Sequence, residues 1–432
     1  MRVCFYTLGC KVNLNETGAL ENLFRQAGYT IVPPDGEADV YIVNSCTVTN
    51  FGDQKSRKWL RRQKREHPGA VTVLTGCYPQ AFPEEAAACM EADLVCGNGD
   101  RHAILDHVQQ LLEGHERIVA ITPHHKDERF EELPVEKFES HTRAFIKVED
   151  GCNRQCAYCV IPRARGPVRS RSRDSILEEL RTLAAAGYRE VVLSAISLPS
   201  YGQDTGDRLV DLVEACAAVP GIRRIRLGSL DPDMLTDEDI RRLAQIEPLC
   251  PQFHLSLQSG CTATLRRMRR VYTAEQYAAV VEKLRAAFGG ADKCSFTTDC
   301  ICGFPGESEA DFAASCDFLA QIGFLKVHVF PYSRRSGTPA YDFDGQIPER
   351  EKQARSRRMN DAAEAVRRRV LAGLAGSEDE VLLETPLSGT LFTGYTRLYV
   401  PVVVSAPGCA SGQIIRVRLG DYDGQRVRAE QV

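Results

Sequence analysis

The chain has 432 residues, 43% of them hydrophobic and 26% charged, with 54 basic against 58 acidic side chains and a net charge of −4. That length exceeds one ordinary core and implies two or three globular domains. No apolar run approaches the ~18 residues that span a bilayer, and the charge balance excludes a uniformly basic nucleic-acid coat, so any RNA or DNA contact must come from local patches.

The 17 cysteines are odd in number and spread along the chain rather than packed into a small secreted frame. Reduced thiols, some of them bound to metal, fit better than disulfides. The short apolar start at 3–8 runs into Gly9-Cys10-Lys11, not a small-residue cleavage site, and the expectation is a cytoplasmic protein with no membrane association.

In chain order, strands are predicted at 2–8, 39–44 and 70–75, with helices at 15–27 and 53–66 between them, a doubly wound parallel pattern. Residues 120–140, with Asp127, Glu128, Glu131, Glu132 and Glu136 among Pro and His, read as an acidic linker. Six strand–helix steps follow, their strands near 143–149, 189–194, 223–228, 252–258, 294–301 and 326–331. Ser175 and Glu178 are expected to form a capping box for one helix, with Gly187 at its end. Six steps fall short of a closed eight-stranded barrel, so an open, partial (βα)6 barrel is expected. An Arg-rich helix at 349–371 and short β-like runs at 380–384, 398–402 and 414–418 then suggest a small terminal β-barrel. The fold class is α/β, with a doubly wound domain over 1–119, a linker over 120–140, a partial barrel with its helical extension over 141–371, and the β-barrel over 372–432.

Two cysteine groups carry chemistry. Cys152, Cys156 and Cys159 stand in one tight loop directly after the strand at 143–149. A structural zinc site needs four closed ligands, usually as two separated pairs, and no second pair accompanies this triplet. Three thiolates suit a four-iron cluster with one iron left open, against the alternatives of zinc or buried thiols. Cys10, Cys46 and Cys77 lie far apart in sequence, yet each follows the end of a predicted parallel strand. Carboxyl ends of adjacent parallel strands lie side by side, so the three could converge. The alternative is that they pack as small apolar residues at strand ends, as Cys4 or Cys96 would.

The Cys-x3-Cys-x-Tyr-Cys loop, with Tyr158 in the aromatic place, resembles the radical S-adenosylmethionine superfamily, whose fold is a partial (βα)6 barrel. In that chemistry the open iron chelates S-adenosylmethionine, and one-electron reduction yields a 5′-deoxyadenosyl radical. Together with the three N-terminal cysteines and the terminal β-barrel, the whole chain resembles the methylthiotransferase family. Residues 7–13 (Thr-Leu-Gly-Cys-Lys-Val-Asn), 44–49 (Asn-Ser-Cys-Thr-Val-Thr) and 254–260 (His-Leu-Ser-Leu-Gln-Ser-Gly) are most similar to its MtaB-type branch, which modifies N6-threonylcarbamoyladenosine beside the tRNA anticodon. The resemblance implies two [4Fe-4S] clusters, on Cys152, Cys156 and Cys159 and on Cys10, Cys46 and Cys77. It also implies S-adenosylmethionine as cofactor, a terminal TRAM domain, a tRNA anticodon stem-loop as partner, an electron donor such as flavodoxin or ferredoxin, and a sulfur source. Methylthiolation of isopentenyladenosine in tRNA, or of a ribosomal-protein aspartate, are the rivals within the family. A non-catalytic iron–sulfur or zinc protein that binds RNA is the rival outside it.

S-adenosylmethionine should bind at the carboxyl ends of barrel strands, and Tyr158, Ser200, Gln258, Ser259, Asp299 and Gly303 are the candidates. Cys300 and Cys302 in the same turn read as buried small hydrophobes. For RNA, the helix at 53–66 offers Arg57, Lys58, Arg61 and Arg62 around Trp59, the only tryptophan. The run at 162–171, with Arg163, Arg165, Arg169 and Arg171 along it, either holds phosphates or caps the barrel mouth. In the terminal barrel, Tyr395, Arg397, Arg416 and Arg418 interleave aromatic and basic groups, as RNA-binding barrels do.

Overall fold

The computed structural model describes residues 1–135, 138 and 141–432. Its first sheet contains β1 (Arg2–Thr7), β2 (Thr30–Val32), β3 (Val40–Ser45), β4 (Val71–Gly76), β5 (Leu94–Cys96) and β6 (Ile118–Ala120), all paired in parallel in the order β2-β1-β3-β4-β5-β6. Strands β3 and β4 are buried along their whole length, because helices cover both faces of the sheet. Leu20 and Phe24 of α1 (Lys11–Gln26) pack on Val3, Phe5, Val40 and Ile42 on one face. Leu60 of α2 (Asn50–Glu66) packs on Val43 and Leu74 on the other. The chain leaves β1 for β2 on one side and returns past it to β3 on the other, so the topological switch lies between β1 and β3. Strands β2, β5 and β6, three residues each, are too short for alternation to announce them.

The segment 121–135 carries no helix or strand, but it is not a free tether. Glu128 meets His124 at 2.7 Å, Glu131 holds Arg101 at 2.7 Å, and Glu132 accepts from Ser175 Oγ at 2.7 Å. Glu136 lies outside the described residues.

The six predicted core strands are present: β7 (Ala144–Asp150), β9 (Glu190–Ala195), β10 (Arg224–Leu227), β12 (Gln252–Leu255), β13 (Ser295–Cys302) and β14 (Lys326–Pro331). The short β8 (Arg169–Ser170) and β11 (Ser229–Leu230) join them in two four-stranded sheets, β10-β9-β7-β8 and β11-β12-β13-β14, bridged where Ile225 pairs with Leu249. Alternate strand residues such as Val191, Leu193, Ile225, Phe253 and Phe296 pack outward in the main core. The other set is polar and pairs across neighbouring strands inside the barrel, Arg224 with Glu190, His254 with Thr297 and Asp299 with His328. The expected capping box is displaced by three residues. Ser172, extended at ψ 140°, caps the helix Arg173–Ala185 by accepting from Ser175 N, so Ser175 lies inside the first turn rather than ahead of it.

After the helix Glu349–Gly373, five strands close a barrel in the order β15-β16-β17-β19-β18: β15 (Glu378–Ser388), β16 (Leu391–Thr396), β17 (Pro401–Ser405), β18 (Ile414–Tyr422) and β19 (Val427–Gln431). The strand expected at 398–402 begins only at Pro401, because Tyr399 takes a left-handed turn conformation at φ 65°. That turn plugs the amino-terminal mouth of the partial barrel. Ser295 Oγ donates to Leu398 O at 2.6 Å, and Arg226 donates to Thr396 O and Arg397 O at 2.6 and 3.0 Å. No helix among the described residues is long and apolar enough to cross a membrane.

Candidate active site

Cys10, Cys46 and Cys77 follow β1, β3 and β4, at the switch point where such sheets place their ligands. Asn13 gathers them: the Cys10 and Cys77 thiols lie 3.6 and 3.9 Å from its Oδ1, and its Nδ2 donates to Leu8 O and Ser45 O at 2.8 and 3.0 Å. Glycine is required before two of the three cysteines. At Gly9 (φ +118°) a Cβ would stand 3.0 Å from Cys46 Cβ, and at Gly76 (φ +100°) one would stand 2.5 Å from Asn44 Oδ1. Cys10 is also the N-cap residue of α1.

Behind this group lies a buried ionic cluster shared by both domains. Arg165 donates from Nε to Cys77 Sγ at 3.3 Å, from Nη2 to Asn13 Oδ1 at 2.7 Å and from Nη1 to Glu16 at 2.5 Å, and it lies 3.3 Å from Asp150. Lys147 and Arg101 also reach Glu16, at 2.8 and 2.7 Å. Burial alone would raise the Glu16 pKa, but Arg101, Arg165 and Lys147 outweigh it and hold it at about 2. Three of the four arginines of the run are therefore held in buried ion pairs, while Arg163 is exposed. Arg165, Arg169 and Arg171 are buried, facing Glu16, Asp150 and Glu179.

The second thiol loop begins where β7 ends. Gly151 (φ +93°) leaves no room for a side chain, since a Cβ would stand 1.9 Å from Pro167 O. Cys152 N bonds Gly166 O at 3.0 Å, and Ala157 N bonds Met268 O at 2.9 Å. Arg270, paired with Asp231, donates to Cys156 Sγ at 3.3 Å. Each cysteine group thus has one guanidinium on one of its sulfurs. Burial pushes Cys46 and Cys159 up to about 12 and Cys152 up to about 11, so thiolates form there only with a metal to compensate. Among the described residues no three His, Cys, Asp or Glu side chains converge as around a single ion. A four-iron cluster takes its thiolates on separate irons, and three thiols about a space, with a cation beside them, are donors of the right chemistry for one.

Two cavities lie side by side next to these loops. One, of about 170 Å3, is lined by Tyr158, Cys159, Gln258 and Asp299 together with Val48 and Thr49 of the N-terminal domain. Gln258 holds φ +69° there, an uncommon backbone for a side-chain residue. The other, of about 450 Å3, is the lumen of the partial barrel, reaching Cys10 and Lys11 on one side and Tyr399 on another. Asp299 and Phe330 line both. Although burial opposes it, His254 and His328, with Lys11, hold the Asp299 carboxyl below its usual range. Of the six candidates for S-adenosylmethionine, Tyr158, Gln258 and Asp299 share the smaller cavity. The other three face elsewhere: Ser200 Oγ pairs with Ser197 Oγ, Ser259 Oγ pairs with Ser315 Oγ, and Gly303 packs under Lys352. Cys300 and Cys302 are fully buried.

The RNA candidates divide. Arg57, Lys58, Arg61 and Arg62 line one groove of about 880 Å3 on α2. Arg57 lies over the Tyr78 ring, Arg61 and Arg62 pair with Glu91 and Glu66, and Trp59 stacks on Tyr6 at 4.9 Å. In the terminal barrel the four candidates do not form one surface. Tyr395 stacks on Tyr399 at 4.5 Å under Arg143, and Arg397 donates to Glu247 O and Leu249 O at the barrel mouth. Arg416 and Arg418 are exposed, both paired with Glu378. Sequence reasoning singles out neither Arg270 nor the lumen, and only the alternation of polar residues in β9, β10, β12, β13 and β14 signals the latter.

Residues 146–319 match the model of the radical SAM superfamily, and residues 2–97 match that of an uncharacterized protein family, UPF0004. The chain is 38% identical over 423 residues to threonylcarbamoyladenosine tRNA methylthiotransferase MtaB of Bacillus subtilis, covering 96% of this chain and 93% of that protein. It is 31% identical to tRNA-2-methylthio-N(6)-dimethylallyladenosine synthase of Carboxydothermus hydrogenoformans, covering 96% and 95%. A solved structure of the radical S-adenosylmethionine methyltransferase TsrM from Kitasatospora setae shares the fold at TM-score 0.55 and 15% identity, over 78% of this chain and 76% of that one. With relatives this similar over nearly its full length, the chain belongs to the radical S-adenosylmethionine methylthiotransferase family.

Proposed function

We propose that this protein adds a methylthio group to C2 of N6-threonylcarbamoyladenosine next to the tRNA anticodon, in the cytoplasm. The observation that carries the reading is that the two cavities share Asp299 and Phe330 as wall residues, which puts the Cys10 side and the Tyr158–Cys159 side next to each other. The greater similarity to the relative named for threonylcarbamoyladenosine supports this substrate over dimethylallyladenosine.

In this reading Cys152, Cys156 and Cys159 hold one [4Fe-4S] cluster and Cys10, Cys46 and Cys77 a second. With S-adenosylmethionine bound, they supply the radical and the methylthio group that an unactivated aromatic carbon requires. The chain's own residues do the rest. Tyr158, Gln258 and Asp299 line the cofactor's cavity, while Arg165 and Arg270 place positive charge against the two thiol groups. The groove on α2, together with exposed Arg416 and Arg418, meets the anticodon stem-loop through phosphates. Residues 1–119 serve the second cluster, 141–371 the radical chemistry and 372–432 RNA binding, joined by 120–140. A flavodoxin- or ferredoxin-type electron donor and a sulfur source complete the partners.

Mass spectrometry of tRNA nucleosides tests this reading. Cells lacking the protein should lose the methylthio form of threonylcarbamoyladenosine and regain it on complementation. Its persistence where no paralogue is present would refute the assignment.

A further inference from the structure

The lumen is rich in cations, but they are not equivalent. Arg226 is paired with Glu190 at 2.7 Å and with two carbonyls of the terminal barrel, and Arg143 is paired with Glu384 at 2.8 Å. Both guanidinium groups are therefore neutralised and hold the terminal barrel in place. Lys11 and Lys326 line the same cavity from two different walls, the start of α1 and the start of β14. Both are exposed into it, and neither has a hydrogen-bond or ion-pair partner among the described residues. His328, two residues after Lys326 on β14, lines the same lumen as Lys11 and Lys326. Two ammonium groups that make no hydrogen bond or ion pair among the described residues, in a space of about 450 Å3 whose one carboxylate, Asp299, lines the side toward the smaller cavity, leave room for a small anion. That space also lies within the size range of small-molecule sites.

We infer that Lys11 and Lys326 are specificity-determining residues, binding the carboxylate of the threonyl substituent while the adenine ring lies toward Asp299 and Phe330. The assignment rests on the substrate proposed above. The N6 substituent of threonylcarbamoyladenosine ends in a carboxylate and a hydroxyl. A dimethylallyl substituent carries neither, and it would leave both ammonium groups unpaired in the cavity, an arrangement that discriminates strongly between the two.

The test measures binding rather than turnover. Fluorescence anisotropy of the anaerobically reconstituted enzyme is read with three synthetic anticodon stem-loops, carrying threonylcarbamoyladenosine, dimethylallyladenosine or plain adenosine at the same position. The wild type should bind the first most tightly. Lys326→Met and Lys11→Met should each weaken that RNA about tenfold and leave the other two unchanged, and Lys326→Arg should recover part of the loss. Because Lys11 adjoins Cys10, iron content is measured alongside and should equal that of the wild type. Equal losses on all three RNAs would reassign the lysines to phosphate binding and overturn the inference. A wild type that prefers the threonylcarbamoyl RNA, with variants that lose nothing, would overturn the lysine role alone. A wild type without that preference would overturn the substrate reading, and the lysine role with it.

Discussion

Arg165 donates to Cys77 across the junction of the two α/β domains, its Nε 3.3 Å from the sulfur, while the same guanidinium is locked to Glu16 and Asp150. A residue of the radical core thus carries positive charge to a thiol of the N-terminal domain. Arg165→Met keeps much of the bulk and removes the charge, leaving Glu16 and Asp150 undercompensated in a buried site. The expected loss is on the order of 3–5 kcal/mol of stability, read as a lower denaturation midpoint. Arg163→Met, at an exposed neighbour in the same short helix, should change it by less than about 0.5 kcal/mol.

Glu16 gives this junction a pH dependence. Its carboxyl is depressed from 4.5 to about 2, so the stabilisation it contributes is fully present above pH 4.5 and is lost as pH falls toward 2. Denaturation followed across that window should show stability falling with acid, and Glu16→Gln should flatten this component while lowering stability at neutral pH. An unchanged acid profile in the variant would remove Glu16 from the account.

At Gly9 the backbone is left-handed and a Cβ would press on Cys46. Gly9→Ala should displace Cys46 and deplete the N-terminal cluster. Iron after anaerobic reconstitution should fall from roughly eight to roughly four per chain, the complement of one [4Fe-4S] cluster. Full iron content would show that the three N-terminal cysteines do not hold a cluster in this geometry.

The two kinds of arginine in the terminal barrel should separate cleanly. Replacing Arg416 and Arg418 with Ala should weaken tRNA binding and reduce its salt slope by about 1 for each phosphate no longer neutralised, at unchanged stability. Arg397→Ala removes donors to Glu247 O and Leu249 O at the barrel mouth. It should lower stability by about 1–3 kcal/mol without altering the salt slope. Salt titrations and denaturation of both variants decide between these roles.

What is legible in the sequence follows how local the signal is. The long parallel strands, the thiol loop after β7 and the strand-end positions of Cys10, Cys46 and Cys77 are written in adjacent residues and in strand order. The helix cap is easily misplaced because Ser172 and Ser175 are both suitable cap residues three positions apart, and only the extended backbone of Ser172 selects it. The arginine run is ambiguous in sequence because its partners Glu16 and Asp150 are supplied by two domains. The lumen stays hidden when β9, β10, β12, β13 and β14 are read for their apolar outward face. Their alternate residues, Glu190, Arg224, Arg226, His254, Thr297 and His328, form the inner face.

Two cysteine groups, one reaching the lumen at Cys10 and the other lining the neighbouring cavity at Cys159, perform different tasks, and product analysis of two variants tests this most directly. Cys152→Ala should abolish both 5′-deoxyadenosine formation and methylthiolation. Cys46→Ala should retain some 5′-deoxyadenosine formation and yield no methylthiolated RNA. Equal loss of both activities in Cys46→Ala, with the iron of the other cluster intact, would contradict the division.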